Sequence, residues 1–190
     1  VAVQGVGAVG SALARRLVEA GAKVKVADRN QARVDALVKE LGVTPAKDTD
    51  ILFQEVDVFA PCALGAVIND ETAGKLRCEI VAGAANNVLF AAKHGQVLRD
   101  RGMLYAPDYV INAGGLINVA NELDGYNADR ALQQAENIFH ILGRVYATAA
   151  EQKIPTYKAA DNLALERIAA IGQTKHVFTG SAHRRSRGVS

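Results

Sequence analysis

Glycines at positions 5, 7 and 10, with an aspartate at position 28, have the types and spacing that hold a dinucleotide. The apolar run Val1-Ala2-Val3-Gln4 enters the turn Gly5-Val6-Gly7-Ala8-Val9-Gly10, and Ser11-Ala12-Leu13-Ala14 continues at helical spacing. Gly5 lets the chain turn at the end of a strand, Gly7 lets backbone approach a pyrophosphate, and Gly10 lets the helix pack closely on the strand. The helix start then presents unpaired N–H groups and the positive end of its dipole to the phosphates. Gly5, Val6, Gly7, Ala8, Val9 and Gly10 are therefore expected around the pyrophosphate. Asp28, about twenty residues further on, is placed to bind the adenosine ribose hydroxyls. Its charge would repel a 2′-phosphate, which favours NAD over NADP. Arg29 could face a phosphate or simply extend into water. The plainer alternative for Asp28 is a cap on a helix starting near Asn30.

These groups need a scaffold, and the pattern supplies one. Leu13, Leu17 and Val18 give the first helix an apolar face, and Gly21 stops it. A strand at 23–27 follows, then a helix at 31–41 carrying Val34, Leu37, Val38 and Leu41, closed by Gly42. Residues 43–46 suit a short third strand, 51–53 a connecting turn or helix, and 56–60 a fourth strand stopped by Pro61. A short helix is expected at 70–76, a fifth strand at 79–82, a helix at about 90–101 and a sixth strand at 103–105. Strands alternating with helices imply an α/β, Rossmann-type doubly wound parallel sheet with its functional loops at the carboxyl edge. Beyond Asn112 the pattern is a C-terminal helical extension. Residues 113–123 form one helix and 128–152 a long one with Ile138, Ile141, Leu142, Val145 and Tyr146 on its buried side. Pro155 breaks the chain before a last helix at 156–174 carrying Ala159, Leu163, Ile168 and Ile171. The basic stretch at 183–188 reads as a solvated tail.

Composition excludes several classes. With 190 residues, 49% of them hydrophobic and 22% charged, the chain suits a soluble globular protein. A net charge of +2 argues against a dedicated nucleic-acid binder, and no apolar run reaches membrane-spanning length. Two cysteines, Cys62 and Cys78, fit a reducing, cytoplasmic compartment without disulfides. A chain whose first residue, Val1, already lies in a strand is expected to be a fragment. Cys62 has no adjacent base and reads as a small apolar loop residue. His94, His140, His176 and His183 lack ligand spacing, so no metal is expected.

Three further loops carry a resemblance: Ala60-Pro61-Cys62-Ala63-Leu64-Gly65, Gly83-Ala84-Ala85-Asn86-Asn87, and the run from Tyr105 through Asn112 to Gly115. Together with the glycine loop, the segment at 118–123 and Ala159-Ala160-Asp161, they resemble the Glu/Leu/Phe/Val dehydrogenase family, most closely its leucine dehydrogenase branch. The resemblance implies reversible, NAD-dependent oxidative deamination of an apolar L-amino acid to its 2-oxo acid and ammonia, in a cleft against an N-terminal catalytic domain. It places two lysines and an aspartate of the chemistry in that other domain, so no catalytic residue is nominated here. It places Ala60, Pro61, Cys62 and Ala63 beside the cofactor riboses. Asn86 falls near the nicotinamide ribose and substrate carboxylate, and Asn112 at the carboxamide. An amide both donates and accepts, which suits such groups, although turn residues also satisfy their own backbone this way.

The resemblance also puts Leu116 and Val119 on the substrate side-chain pocket. The extra methylene of Leu116, where leucine dehydrogenases often carry valine, should favour valine over leucine and disfavour phenylalanine. Residues 1–152 are expected to form the cofactor domain. Residues 153–190 would be a helix and tail packing on the missing domain. Family members assemble as dimers to octamers, which makes a homo-oligomer the expectation. A nucleotide-sensing module without chemistry is the alternative; it explains the glycine loop but not the Asn86 and Asn112 loops.

Overall fold

The computed structural model describes residues 1–175 except Asp124. Six parallel strands form one sheet: β1 Ala2–Gln4, β2 Lys25–Ala27, β3 Thr44–Pro45, β4 Val56–Pro61, β5 Cys78–Val81 and β6 Leu104–Tyr105, in the order β3-β2-β1-β4-β5-β6. β1 pairs with β2 on one side and β4 on the other, so the winding reverses there and a crevice opens beyond their carboxyl ends.

Helices cover both faces of the sheet, so its residues are apolar on both sides. Successive residues alternate between the faces. Val3, Val26 and Ala60 pack with Val6, Ala14, Val34 and Leu37 of the glycine-loop side, whose helices are α1 Ala8–Glu19 and α2 Gln31–Leu41. Ala2, Ala27 and Phe59 face the opposite cluster with Ile51, Ile68, Leu76 and Leu98. Ile51 comes from a single 3-10 turn, Ile51–Phe53, and Leu98 from α3 Ala92–Asp100. Phe59, fully buried, contributes about 1.5–3 kcal/mol by leaving water.

The extension comprises α4 Asp108–Ile111, α5 Gly114–Leu123, α6 Ala128–Gln152 and α7 Thr156–Lys175. Asn127 caps α6, its side chain accepting from the Arg130 N–H at 2.9 Å. The buried Asn121 of α5 donates to Ile117 O and to Gln134 of α6, which stitches the two helices together. Thr156 Oγ1 donates to Tyr105 O at 2.7 Å and pins the start of α7 to β6.

Four expectations need correction. Where a helix is expected at 70–76, residues 70–75 form hydrogen-bonded turns. Asn69 Oδ1 accepts from the N–H groups of Glu71 and Thr72, and Thr72 Oγ1 donates to Val67 O at 2.6 Å, so side chains take the bonds a helix would need. Pro61 does not stop β4 but ends it, opposite Gln4, where a missing N–H breaks no further rung. Within the 105–115 loop, Asp108–Ile111 forms a helical turn that periodicity did not indicate. Ile141 is exposed, because the buried cluster of Val145, Ala149, Ala159 and Ala160 covers only the later half of α6. On α7, Leu165, Ile168 and Ile171 are also exposed. The basic stretch at 183–188 lies outside the described residues.

Candidate functional site

The glycine loop is closed toward the protein and open toward solvent. Gly5 has φ +87°, and a Cβ there would stand 2.7 Å from Ala63 Cβ. A Cβ on Gly10 would meet Gly5 O at 1.9 Å and Cys62 Cβ at 3.2 Å. On Gly7 it would find only the tip of Arg33, at 3.9 Å. Gly7 is the N-cap of α1 and no side chain caps the helix, whose first-turn N–H groups lack intrahelical acceptors. That is a cradle for an anion.

Asp28 combines the two readings its position allowed. Its Oδ2 accepts from the Val6 N–H and its Oδ1 from the Asn30 N–H, each at 2.8 Å. The carboxylate thus braces the glycine loop and the approach to α2, and it lines a cavity of about 120 Å³ with Gln4, Gly5, Arg29, Asp48, Ala63 and Leu64. Arg29 reaches Asp48 at 3.6 Å and is otherwise exposed. The buried Gln4 Oε1 has no hydrogen-bond partner among the described residues.

The loops beyond β4, β5 and β6 clasp one another beside this cradle. The Ala85 N–H donates to Pro61 O at 2.9 Å, and the Ala66 N–H to Asn87 O at 2.6 Å. Asn112 Nδ2 donates to Asn86 Oδ1 at 2.6 Å and reaches Ala85 O at 3.4 Å. Asp108, which sequence reasoning did not single out, joins the same loops. Its Oδ2 accepts from the Val88 N–H and its Oδ1 from the Tyr109 N–H, both at 2.9 Å. Proline followed by aspartate, Pro107-Asp108, is a helix-start signal that could have located α4.

A cavity of about 840 Å³ runs from Val9 to α5 and α6. Asn86, Asn112 and Leu116 line it, as do Asp108, Tyr109 and Ile138. Val9 of the glycine loop, both asparagines and Leu116 therefore border one space, whereas Gly5, Asp28, Arg29 and Ala63 line the smaller cavity. Val119 does not line it; its side chain is 58% exposed one turn further along α5. Ala60, Pro61, Cys62 and Ala63 lie at the β4 end against the glycine loop. Burial pushes the Cys62 thiol up, with a smaller opposing effect from the Ala84 backbone. That is the reverse of an activated nucleophile.

The Tyr109 hydroxyl donates to Asp161 Oδ1 at 2.6 Å, which fastens the cavity wall to α7. Burial first, then Asp161, push the Tyr109 phenol far above its usual range. His94, unremarkable by spacing, is buried and meets Asp70 at 3.1 Å while accepting from the Ala91 N–H. Among the described residues no group of three or more His, Cys, Asp or Glu could hold a metal, and no helix is long and apolar enough to cross a membrane.

Known proteins resemble this chain in sequence and fold. The family model for glutamate/leucine/phenylalanine/valine dehydrogenase matches residues 24–175. Leucine dehydrogenase of Thermoactinomyces intermedius is 49% identical over 178 residues, covering 94% of this chain and 49% of that protein. Phenylalanine dehydrogenase of Bacillus thermotolerans is 43% identical over 185 residues, covering 95% and 48%. The crystal structure of L-tryptophan dehydrogenase from Nostoc punctiforme superposes with a TM-score of 0.88 at 43% identity, covering 90% of this chain and 52% of that one. The chain spans about half the length of the curated relatives it matches. With the doubly wound sheet, the glycine cradle and the paired asparagines all in one chain, the match over residues 24–175 makes this protein a member of the glutamate/leucine/phenylalanine/valine dehydrogenase family.

Proposed function

We propose that this chain is the cofactor-binding part of an NAD-dependent enzyme that reversibly deaminates a branched-chain L-amino acid, leucine or valine, to its 2-oxo acid and ammonia. One observation carries the reading. A single cavity joins the open end of the glycine cradle, at Val9, to the Asn86–Asn112 pair and to Leu116. The residues fit a dinucleotide: backbone N–H groups and an unfilled approach at Gly7 suit a pyrophosphate, and a braced carboxylate at Asp28 suits ribose hydroxyls. A nicotinamide bound there would supply the hydride acceptor.

The chain's own contribution is to bind and orient. Asn112 presents its amide toward the cavity, with Asn86 holding its Nδ2 in place. Arg29 is engaged by Asp48 and the carboxylate of Asp28 stands on the small cavity, a combination that supports NAD over NADP. Leu116, 74% exposed at the cavity edge, is free to touch an aliphatic side chain. One methylene there is worth about 1–3 kcal/mol of discrimination.

The groups that move protons, and the second wall of the cleft, belong to a further domain, with α7 reaching toward it. The exposed Leu165 and Ile168 on α7 support that division. Exposed apolar side chains on α5 and α6, such as Leu123 and Phe139, support a homo-oligomer. The isolated chain then binds NAD without turnover. Calorimetric titration of the chain with NAD and NADP, and specificity constants of the full-length enzyme for leucine, valine, isoleucine and phenylalanine, test the reading. No dinucleotide binding, or phenylalanine as the best substrate, refutes it.

A further inference from the structure

Among the described residues, Asp108 is the one charged residue on the 840 Å³ cavity, whose other lining side chains are apolar, amide or phenolic. It is 8% exposed, and its surroundings are neutral: the Val88 and Tyr109 N–H groups donate to its carboxylate, and the Tyr105 hydroxyl also bonds Asp108. Among the described residues no lysine, arginine or histidine pairs with it. Backbone dipoles steady a carboxylate without cancelling its charge. The start of α5, at Gly114, adds only about half a positive charge to the same wall. The cavity therefore carries a net negative field that the binding roles described above do not use.

We propose that Asp108 biases this cavity toward the oxidised, cationic form of a nicotinamide ring. The inference rests on the cofactor reading above and extends it, since it concerns which redox state is held and not whether a dinucleotide binds. The pyridinium ring carries a positive charge that the dihydropyridine lacks, and the rest of the molecule is the same. A negative charge on the cavity wall thus separates the two forms where shape and hydrogen bonding do not. With an effective dielectric near 20, a unit charge across such a cavity is expected to change their affinity ratio by about tenfold. The same ratio lowers the potential of the bound two-electron couple by about 30 mV.

The test is calorimetric titration of the chain with NAD+, NADH and ADP-ribose, for wild type and for Asp108→Asn and Asp108→Ser. Both replacements are neutral and keep an acceptor for one backbone N–H. Removing the charge is expected to shift the NAD+ to NADH affinity ratio about tenfold toward NADH, leaving ADP-ribose within about twofold. Parallel weakening of NAD+ and NADH, or an unchanged ratio, overturns the proposal by making Asp108 purely structural.

A wild-type measurement covers the case where neither variant folds. The benzamide analogue of NAD+, isosteric but uncharged at the ring, is expected to bind about tenfold more weakly than NAD+, and equal affinity overturns the proposal. If wild type binds ADP-ribose and NAD+ but shows no charge preference, the redox bias fails alone. If it binds no dinucleotide, the cofactor reading fails and takes this inference with it.

Discussion

The side-chain amide of Asn112 donates to the side-chain oxygen of Asn86 across 2.6 Å, joining the loop after β5 to the end of α4. Asn112→Ala removes the donor and leaves Asn86 with one partner fewer. Loss of such a bond costs about 1–2 kcal/mol, so NAD affinity is expected to fall roughly tenfold while ADP-ribose, which lacks the nicotinamide, binds as before. A double-mutant cycle with Asn86→Ala, read by calorimetry, should return a coupling of about 0.5–1.5 kcal/mol. Additive losses would show that the pair does not act as a unit.

The three glycines of the first loop should respond differently. Gly10→Ala drives a methyl into Gly5 O and is expected to cost about 3 kcal/mol, at the top of the overpacking range. Gly7→Ala meets open space and is expected to change the melting temperature little while weakening dinucleotide binding about tenfold. Thermal melts paired with NAD titrations separate the two effects. Equal destabilisation by both would contradict the steric asymmetry of the loop.

Asp28→Ser removes the charge facing the small cavity. NADP affinity is expected to rise about tenfold or more relative to NAD, since like charges a few ångströms apart repel even at an effective dielectric of 20. The same variant should lose some stability, because Val6 and Asn30 each surrender a carboxylate acceptor. Unchanged NADP binding would assign Asp28 to bracing alone.

Alkaline pH should weaken the fold through Tyr105. Burial first, and then the charge of Asp108, hold its phenol far above the usual value. A phenol raised in the folded state leaves stability intact below the unfolded value of about 10 and drains it as pH rises beyond, because the unfolded chain ionises first. Urea unfolding between about pH 8 and pH 11 is expected to show stability falling above about pH 10, with Tyr105→Phe flattening that part of the fall. An equal fall in the variant assigns the loss to other groups.

Much of this was legible in the sequence because it is local. The glycine spacing, the strand ending on Asp28 and the bounds of α2 and α6 depend on neighbours within a few turns, and the structure reproduces them. What was not legible depends on competition or on distance. Residues 70–76 have helical spacing, but the Asn69 and Thr72 side chains take the local bonds. Ile141 has the right periodicity for burial, yet no packed cluster reaches it. Asp108 escaped notice because its importance comes from Val88, 20 residues earlier in the chain. Val119 was assigned with Leu116 from the resemblance, and of the two only Leu116 lines the 840 Å³ cavity.

The bond between the Tyr109 hydroxyl and Asp161 spans 52 residues. Along the chain, the contacts described for the glycine cradle reach no later than Ala63, whereas the bond that fastens the cavity wall to α7 waits for Asp161. The two halves of the site therefore draw on different stretches of the chain. Every partner described for the phosphate end is thus encoded before the residue that secures the other end.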